Sequence, residues 1–184
     1  MKQTRYKILV ILMIFAVFYL PSLYGADRAP INVNLIIDGS SSLTNVKTDI
    51  TTWVSGRLDQ IVTNGDRVTI WSAGSSAKVI YSGAINAPAD KEAAKKSVRD
   101  LAGSGTSADF SGALREASNL PSSYFNYTLL ISASNTALTN LLSGSQSNMM
   151  RFSRVEDFSG WRAIVIGLNL DARVKRAAAA FFGS

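Results

Sequence analysis

Hydrophobic and polar positions along this chain switch repeatedly between a two-residue and a three-to-four-residue period. Ile31-Asn32-Val33-Asn34-Leu35-Ile36-Ile37 runs into Asp38, and its second half reads as a buried strand. Leu43, Val46, Ile50, Trp53, Val54, Leu58 and Ile61 then recur at helical steps, which predicts an amphipathic helix beginning near Leu43. Gly65, just past its end, suits a left-handed helix cap. Residues 67–71 predict a second strand, 72–76 a turn, and 77–81 an antiparallel partner at the sheet edge. Residues 88–101 predict a helix with Ala94, Val98 and Leu101 on one face. Phe110, Ala113, Leu114 and Ala117 mark another, stopped before Pro121. Residues 127–131 and Trp161–Gly167 are continuous apolar runs, as parallel strands covered on both faces require. Residues 141–160, rich in Ser, Asn and Met, read as a short helix and a long loop. Val174, Ala177, Ala178, Phe181 and Phe182 close the chain at helical spacing. The fold class that follows is α/β: a doubly wound, mostly parallel sheet with one antiparallel edge strand and helices on both faces.

The first residues obey a different logic. Lys2, Arg5 and Lys7 precede an apolar run over residues 8–20, and Pro21-Ser22-Leu23-Tyr24-Gly25-Ala26 follows. A basic start, a short apolar core and small residues at Gly25-Ala26 form the pattern of a secretory signal peptide. Thirteen apolar residues are short for a permanent span. Leu23, however, is larger than the residue usually found three before a cut after Gly25. Residues 1–25 are therefore read as a signal peptide or an uncleaved membrane anchor, and 26–184 as a single domain. The expected location is the periplasm, or the periplasmic face of the inner membrane, of a bacterium.

Removing the leader changes the charge. The formal net charge of the whole chain is +6, and Lys2, Arg5 and Lys7 carry three of those charges, so +3 remains. That is too little to argue for nucleic acid. The chain holds no His and no Cys, which excludes thiol nucleophiles, His-based triads, ordinary zinc or copper sites and disulfides. Ser75-Ser76-Ala77-Lys78 has the S-x-x-K spacing of a Ser–Lys pair, but in a predicted hairpin rather than at a helix start. Gly103-Ser104-Gly105-Thr106 lacks the third glycine and the preceding strand of a dinucleotide fingerprint. The chain reads as a binding module and not as an enzyme.

Its candidate chemistry lies in Asp38-Gly39-Ser40-Ser41-Ser42, between the first strand and the first helix. Alternate residues of an extended turn face the same way, so Asp38, Ser40 and Ser42 can present three oxygens to one point. Hard dications such as magnesium take oxygen ligands, and ligands bind at the carboxyl ends of strands in open α/β sheets. The competing expectation is a helix N-cap, in which Ser or Asp accepts backbone N–H bonds.

With this motif and element order, residues 30–183 resemble a von Willebrand factor type A domain. The resemblance implies a metal-ion-dependent adhesion site at the top of the sheet. Its D-x-S-x-S motif falls on Asp38, Ser40 and Ser42, and its loop threonine on Thr106 after Gly105, with Ser107 as a competing candidate. The family's third motif, an aspartate beyond the central strand, falls on Ser132-Ala133-Ser134, where Ala133 replaces the carboxylate. Asp109 could supply the missing charge, although a helix-dipole role suits it better. The implied cofactor is Mg2+ or Mn2+, bound weakly because affinity follows ligand charge. The implied partner is a protein offering an acidic side chain that completes the ion's coordination. A metal-free scaffold is the second expectation, using the loops around Ser40, Thr106 and Ser134 and the Met149-Met150-Arg151-Phe152 segment.

Overall fold

The computed structural model describes residues 28–120, 125–133, 135–143 and 161–167, together with Ala172, Arg173 and Arg176. Five strands form one sheet in the order β3-β2-β1-β4-β5: β1 Ile31–Asp38, β2 Arg67–Ala73, β3 Ala77–Ala84, β4 Phe125–Ser132 and β5 Trp161–Gly167. The β2–β3 pairing is antiparallel, with a register shift at Ile70/Trp71, and the others are parallel. Four α-helices are described: α1 Lys47–Ile61, α2 Pro88–Asp100, α3 Phe110–Ser118 and α4 Asn135–Ser143. The α/β architecture expected from the sequence is the one observed. Among the described residues no helix is long and apolar enough to cross a membrane.

Two apolar layers sandwich the sheet because side chains alternate along each strand. Val33, Leu35 and Ile37 of β1 point to one face and pack with Ile50, Val54 and Leu58 of α1 and with Ala94 and Val98 of α2. Ile36 points to the other face with Trp71 and Leu130, under Phe110 and Leu114 of α3 and Leu138 of α4. Ile36 and Leu130 are fully buried. Lys95, buried between the first two helices, donates to Asp59 of α1 and Glu92 of α2 and holds the pair together.

Several local expectations shift. The first helix does not begin near Leu43. A 3-10 turn occupies Ser41–Asn45, and α1 starts at Lys47. Leu43 and Val46 are buried all the same, so helical spacing marked the buried face but not the hydrogen-bond register. Gly65 has φ +90, yet α1 already ends at Val62, and the Gly65 N–H donates to the Ile85 carbonyl at 2.8 Å. Its left-handed conformation serves the turn into β2 rather than a helix cap. In β4 the burial begins at Thr128, and Tyr127 is 37% exposed. The helix after β4 is α4, which starts at Asn135, before the segment 141–160 in which a short helix was expected, and residues 144–160 lie outside the described residues. The Met149–Phe152 segment and the closing apolar positions from Val174 onward lie outside the described residues, apart from helical Arg176.

One buried feature was not foreseen. Asn32 and Asn34 sit inside β1, and their amides donate to Asn126 at 3.0 Å and Thr128 at 3.4 Å across the β1–β4 pairing. Apolar periodicity gives no signal for such pairs, because the acceptor of each amide lies 94 positions away in the chain.

Candidate metal-binding site

Asp38 is the last residue of β1 and is completely buried. Its Oδ1 accepts from the Ser40 hydroxyl at 2.6 Å and from the Ser40 N–H at 2.9 Å. Its Oδ2 accepts from the N–H of Ala133, just past β4, at 3.2 Å. Ser40 is 2% exposed, and its side chain makes no helix-cap bond. The capping alternative for this serine therefore fails. The hydroxyl is spent on the carboxylate, not on the helix.

The loops around this group are tied together through the main chain. Gly39 N–H donates to Ala73 O at 2.8 Å, Ser104 N–H to Gly39 O at 2.8 Å, and Ser41 N–H to Gly105 O at 3.0 Å. The ends of β1 and β2 and the glycine loop after α2 thus form one unit. Two glycines make the approach possible. A Cβ on Gly39 would overlap the Ser72 hydroxyl, and one on Gly103 would overlap the Ser40 carbonyl oxygen. Gly105 adopts φ +75, a conformation costly for other residues, in the position that receives the Ser41 N–H.

The sequence-predicted ligands are brought together unequally. Asp38 and Ser40 meet directly. Ser42 lies inside the 3-10 turn and is half-buried, because extended alternation stops at Ser40 (ψ 173). Thr106 follows Gly105 into the same loop cluster but is exposed, as is Ser107. Among the described residues neither Ser42 nor Thr106 hydrogen-bonds to Asp38. Asp109 is the N-cap of α3, its Oδ1 accepting from Gly112 N–H at 2.8 Å, so its carboxylate is engaged in the capping role. Among the described residues no three His, Cys, Asp or Glu side chains cluster as a metal site.

The donor set suits a hard cation in kind and is poor in charge. A serine hydroxyl has one hydrogen and two lone pairs. Ser40 gives its hydrogen to Asp38, which keeps its lone pairs available and polarises them toward an ion. Among the described residues the negative charge of this cluster is that of Asp38, and Ala133 contributes a backbone N–H to it.

The fold has counterparts among solved structures. A von Willebrand factor type A protein from Catenulispora acidiphila superposes with a TM-score of 0.59 at 15% identity, covering 84% of this chain and 37% of its own. The fold is that of a von Willebrand factor type A domain. The pilus adhesin SpaC from Lactobacillus rhamnosus GG matches this type A fold at a TM-score of 0.63 and 14% identity, covering 86% of this chain and 28% of its own. Proximal thread matrix protein 1 from the mussel byssus, solved with a zinc-occupied MIDAS motif, gives 0.56 and 13%, covering 85% and 40%. The chain thus spans well under half the length of each of these type A structures. No family model and no curated protein matches the sequence.

The remaining candidate chemistry does not assemble. Ser75 stands in the turn between β2 and β3, and Lys78 is an exposed residue of β3 paired with Ser72. Their spacing therefore never places them on one helical turn.

Proposed function

We propose that this chain is a non-enzymatic, exported protein-binding module whose Asp38 loop takes a divalent cation weakly. Asp38, Ser40, Ser42 and Thr106 hold the ion directly or through water, and a carboxylate of a partner protein completes its shell. The observation that carries this reading is the Asp38–Ser40 pair. A fully buried carboxylate orients a nearly buried hydroxyl where the ends of two strands and a glycine loop are locked together. An adhesin and a byssus matrix protein with the same fold support a binding role, and the zinc-occupied MIDAS motif of the latter supports a metal. The Lys2/Arg5/Lys7 leader supports export to the periplasm or its membrane face.

A second reading keeps the fold and drops the ion. It is favoured by the three hydrogen bonds that satisfy Asp38 from within the protein. Titration calorimetry with magnesium and manganese separates the two. Weak binding that Asp38→Ala abolishes supports the metal reading. No heat with either ion, in the presence or absence of an acidic peptide, leaves a metal-free scaffold.

A further inference from the structure

At the end of the domain opposite Asp38, Asp66 is fully buried and receives Arg28 at 2.9 Å and 2.5 Å, plus the N–H groups of Ile31 and Thr63. Burial alone would raise the Asp66 pKa, but the Arg28 guanidinium and the two N–H groups hold it below the ordinary carboxylate range. This carboxylate is spent within the fold. Unspent chemistry lies on the side of the domain, where a groove of about 380 Å³ runs between the edge strand β3 and α3. Val79 and Leu120, 47% and 39% exposed, line it above the buried Trp71. A bulge explains the bare valine. Trp71 pairs with Val79 and Ile70 with Tyr81, so Ile80 is one residue too many in β3. Ile80 and Tyr81 both pack on the core under α1 and α2, while Val79 is left on the α3 side without cover.

The shape and charge of the groove select its occupant. β3 is the outermost strand, so its outer row of main-chain groups has no strand partner among the described residues. A second copy of the chain fits badly. The bulge interrupts a long flat pairing, and antiparallel pairing centred on the stretch Ala77–Val79 would set Lys78 opposite its own counterpart. A short extended segment meets neither obstacle. The nine residues of α3 span about 13 Å, the length of about four extended residues. Asp109, Gly112 and Glu116 recur at three- and four-residue steps and line the groove together, so this face of α3 is acidic. Asp109 is engaged by the Gly112 N–H, whereas Glu116 is exposed and forms no ion pair among the described residues. Arg115 stands about 100° round the helix from Glu116, at the outer rim.

We propose that this groove takes an extended segment of a partner protein in which apolar and basic side chains alternate. The segment adds to β3 beside Ala77–Val79, and its main chain meets the unpaired edge. Residues two apart in an added strand face the same way. One apolar side chain then covers Val79 above Trp71, a lysine or arginine two positions along meets Glu116, and a further apolar residue covers Leu120. Main-chain pairing supplies affinity in this mode of recognition, and the alternate side chains supply specificity. The groove lies along the side of the sheet and not at the strand ends around Asp38, so it works without an ion. The inference goes beyond the metal reading and stands independently of it.

The probe is the peptide Ser-Val-Thr-Lys-Thr-Val-Ser with both ends blocked, titrated into the full isotope-labelled chain and followed by amide chemical shifts. A second peptide carries Glu in place of Lys. The expected result is shifts confined to residues 76–79 and 112–120, with the Glu peptide about fivefold weaker. Glu116→Lys should reverse that preference, Val79→Asp should abolish binding, and Asp38→Ala should change neither. Val79 and Glu116 are exposed, so both variants should keep the fold, which a melt checks. Absence of shifts with the Lys peptide at millimolar concentration overturns the inference. So does a charge preference that Glu116→Lys leaves unchanged. A native dimer in sedimentation that Val79→Asp dissolves assigns the groove to a second copy and overturns it as well.

Discussion

Placing a carboxylate at position 133 is the sharpest test of the candidate site, and the structure sets its size. The Ala133 N–H lies 3.2 Å from Asp38 Oδ2, so a carboxylate at position 133 would stand roughly 6 Å from that of Asp38. At an effective dielectric of about 20, two like charges at that separation repel by about 3 kcal/mol. Position 133 is half-buried, so solvent screening brings the figure to about 1–3 kcal/mol. In EDTA, Ala133→Asp should therefore melt about 5 °C below the native protein. A dication placed between the carboxylates removes the repulsion and gains a second charge. Magnesium affinity should rise on the order of 10–100-fold, since each 1.4 kcal/mol is a factor of ten.

Thermal melts in EDTA and across a magnesium series read both halves of this cycle, with calorimetry as the direct check. Ala133→Asn is the control, because it adds nearly the same volume without the charge. It should show neither the charge-dependent loss in EDTA nor the magnesium rescue. The reasoning is refuted if Ala133→Asp melts like Ala133→Asn in EDTA and magnesium moves neither. In that case position 133 does not share a cation pocket with Asp38.

Three further outcomes follow from particular contacts. Leu130→Ala deletes a fully buried side chain from a strand flanked by β1 and β5, and should lower stability by about 2–5 kcal/mol in urea unfolding. Because folding lowers the Asp66 pKa, its contribution is present above the unfolded carboxylate range and lost as pH falls through its folded value. Asp66→Asn should accordingly destabilise at pH 7 by about 2–4 kcal/mol and flatten the loss of stability below about pH 4, measured by melts against pH. Gly103→Ala forces a Cβ onto the Ser40 carbonyl, and should cost about 1–3 kcal/mol while weakening any magnesium binding measured by calorimetry.

Elements with strict periodicity were legible from the residues alone. Trp161–Gly167 falls where its apolar run predicts, and α2 and α3 end within a residue or two of their expected limits. The errors have physical causes. Leu43 and Val46 are buried at helical spacing, yet the chain is still in a 3-10 turn, since burial depends on side-chain direction and not on which carbonyl each N–H reaches. Strand β4 begins two residues early because Phe125 and Asn126 pair with β1 through the backbone, which side-chain polarity does not report. At the candidate site, the strand ends that bring Asp38, Ser40 and Ala133 together could be read from the sequence. Arg28 and Asp66 could not. They carry no motif, and they meet only because β1 and β2 start side by side.

The hydrogen bonds that satisfy Asp38 from within the protein shape how a bound ion would act. Asp38 has both oxygens engaged and Ser40 has given its hydrogen to Asp38, so protein groups already bond the carboxylate. A site with a second carboxylate would hold its ion more tightly before any partner arrives. In the proposed complex one buried charge would face the dication, and much of the attraction would come from the partner. Linkage then requires that the ion raise the partner's affinity by the same factor as the partner raises the ion's. Weak binding by the free domain and strong mutual dependence in the complex are one prediction, not two. If an acidic partner binds equally well in EDTA and in magnesium, the coupling factor is one, and Asp38 serves only to lock the loops.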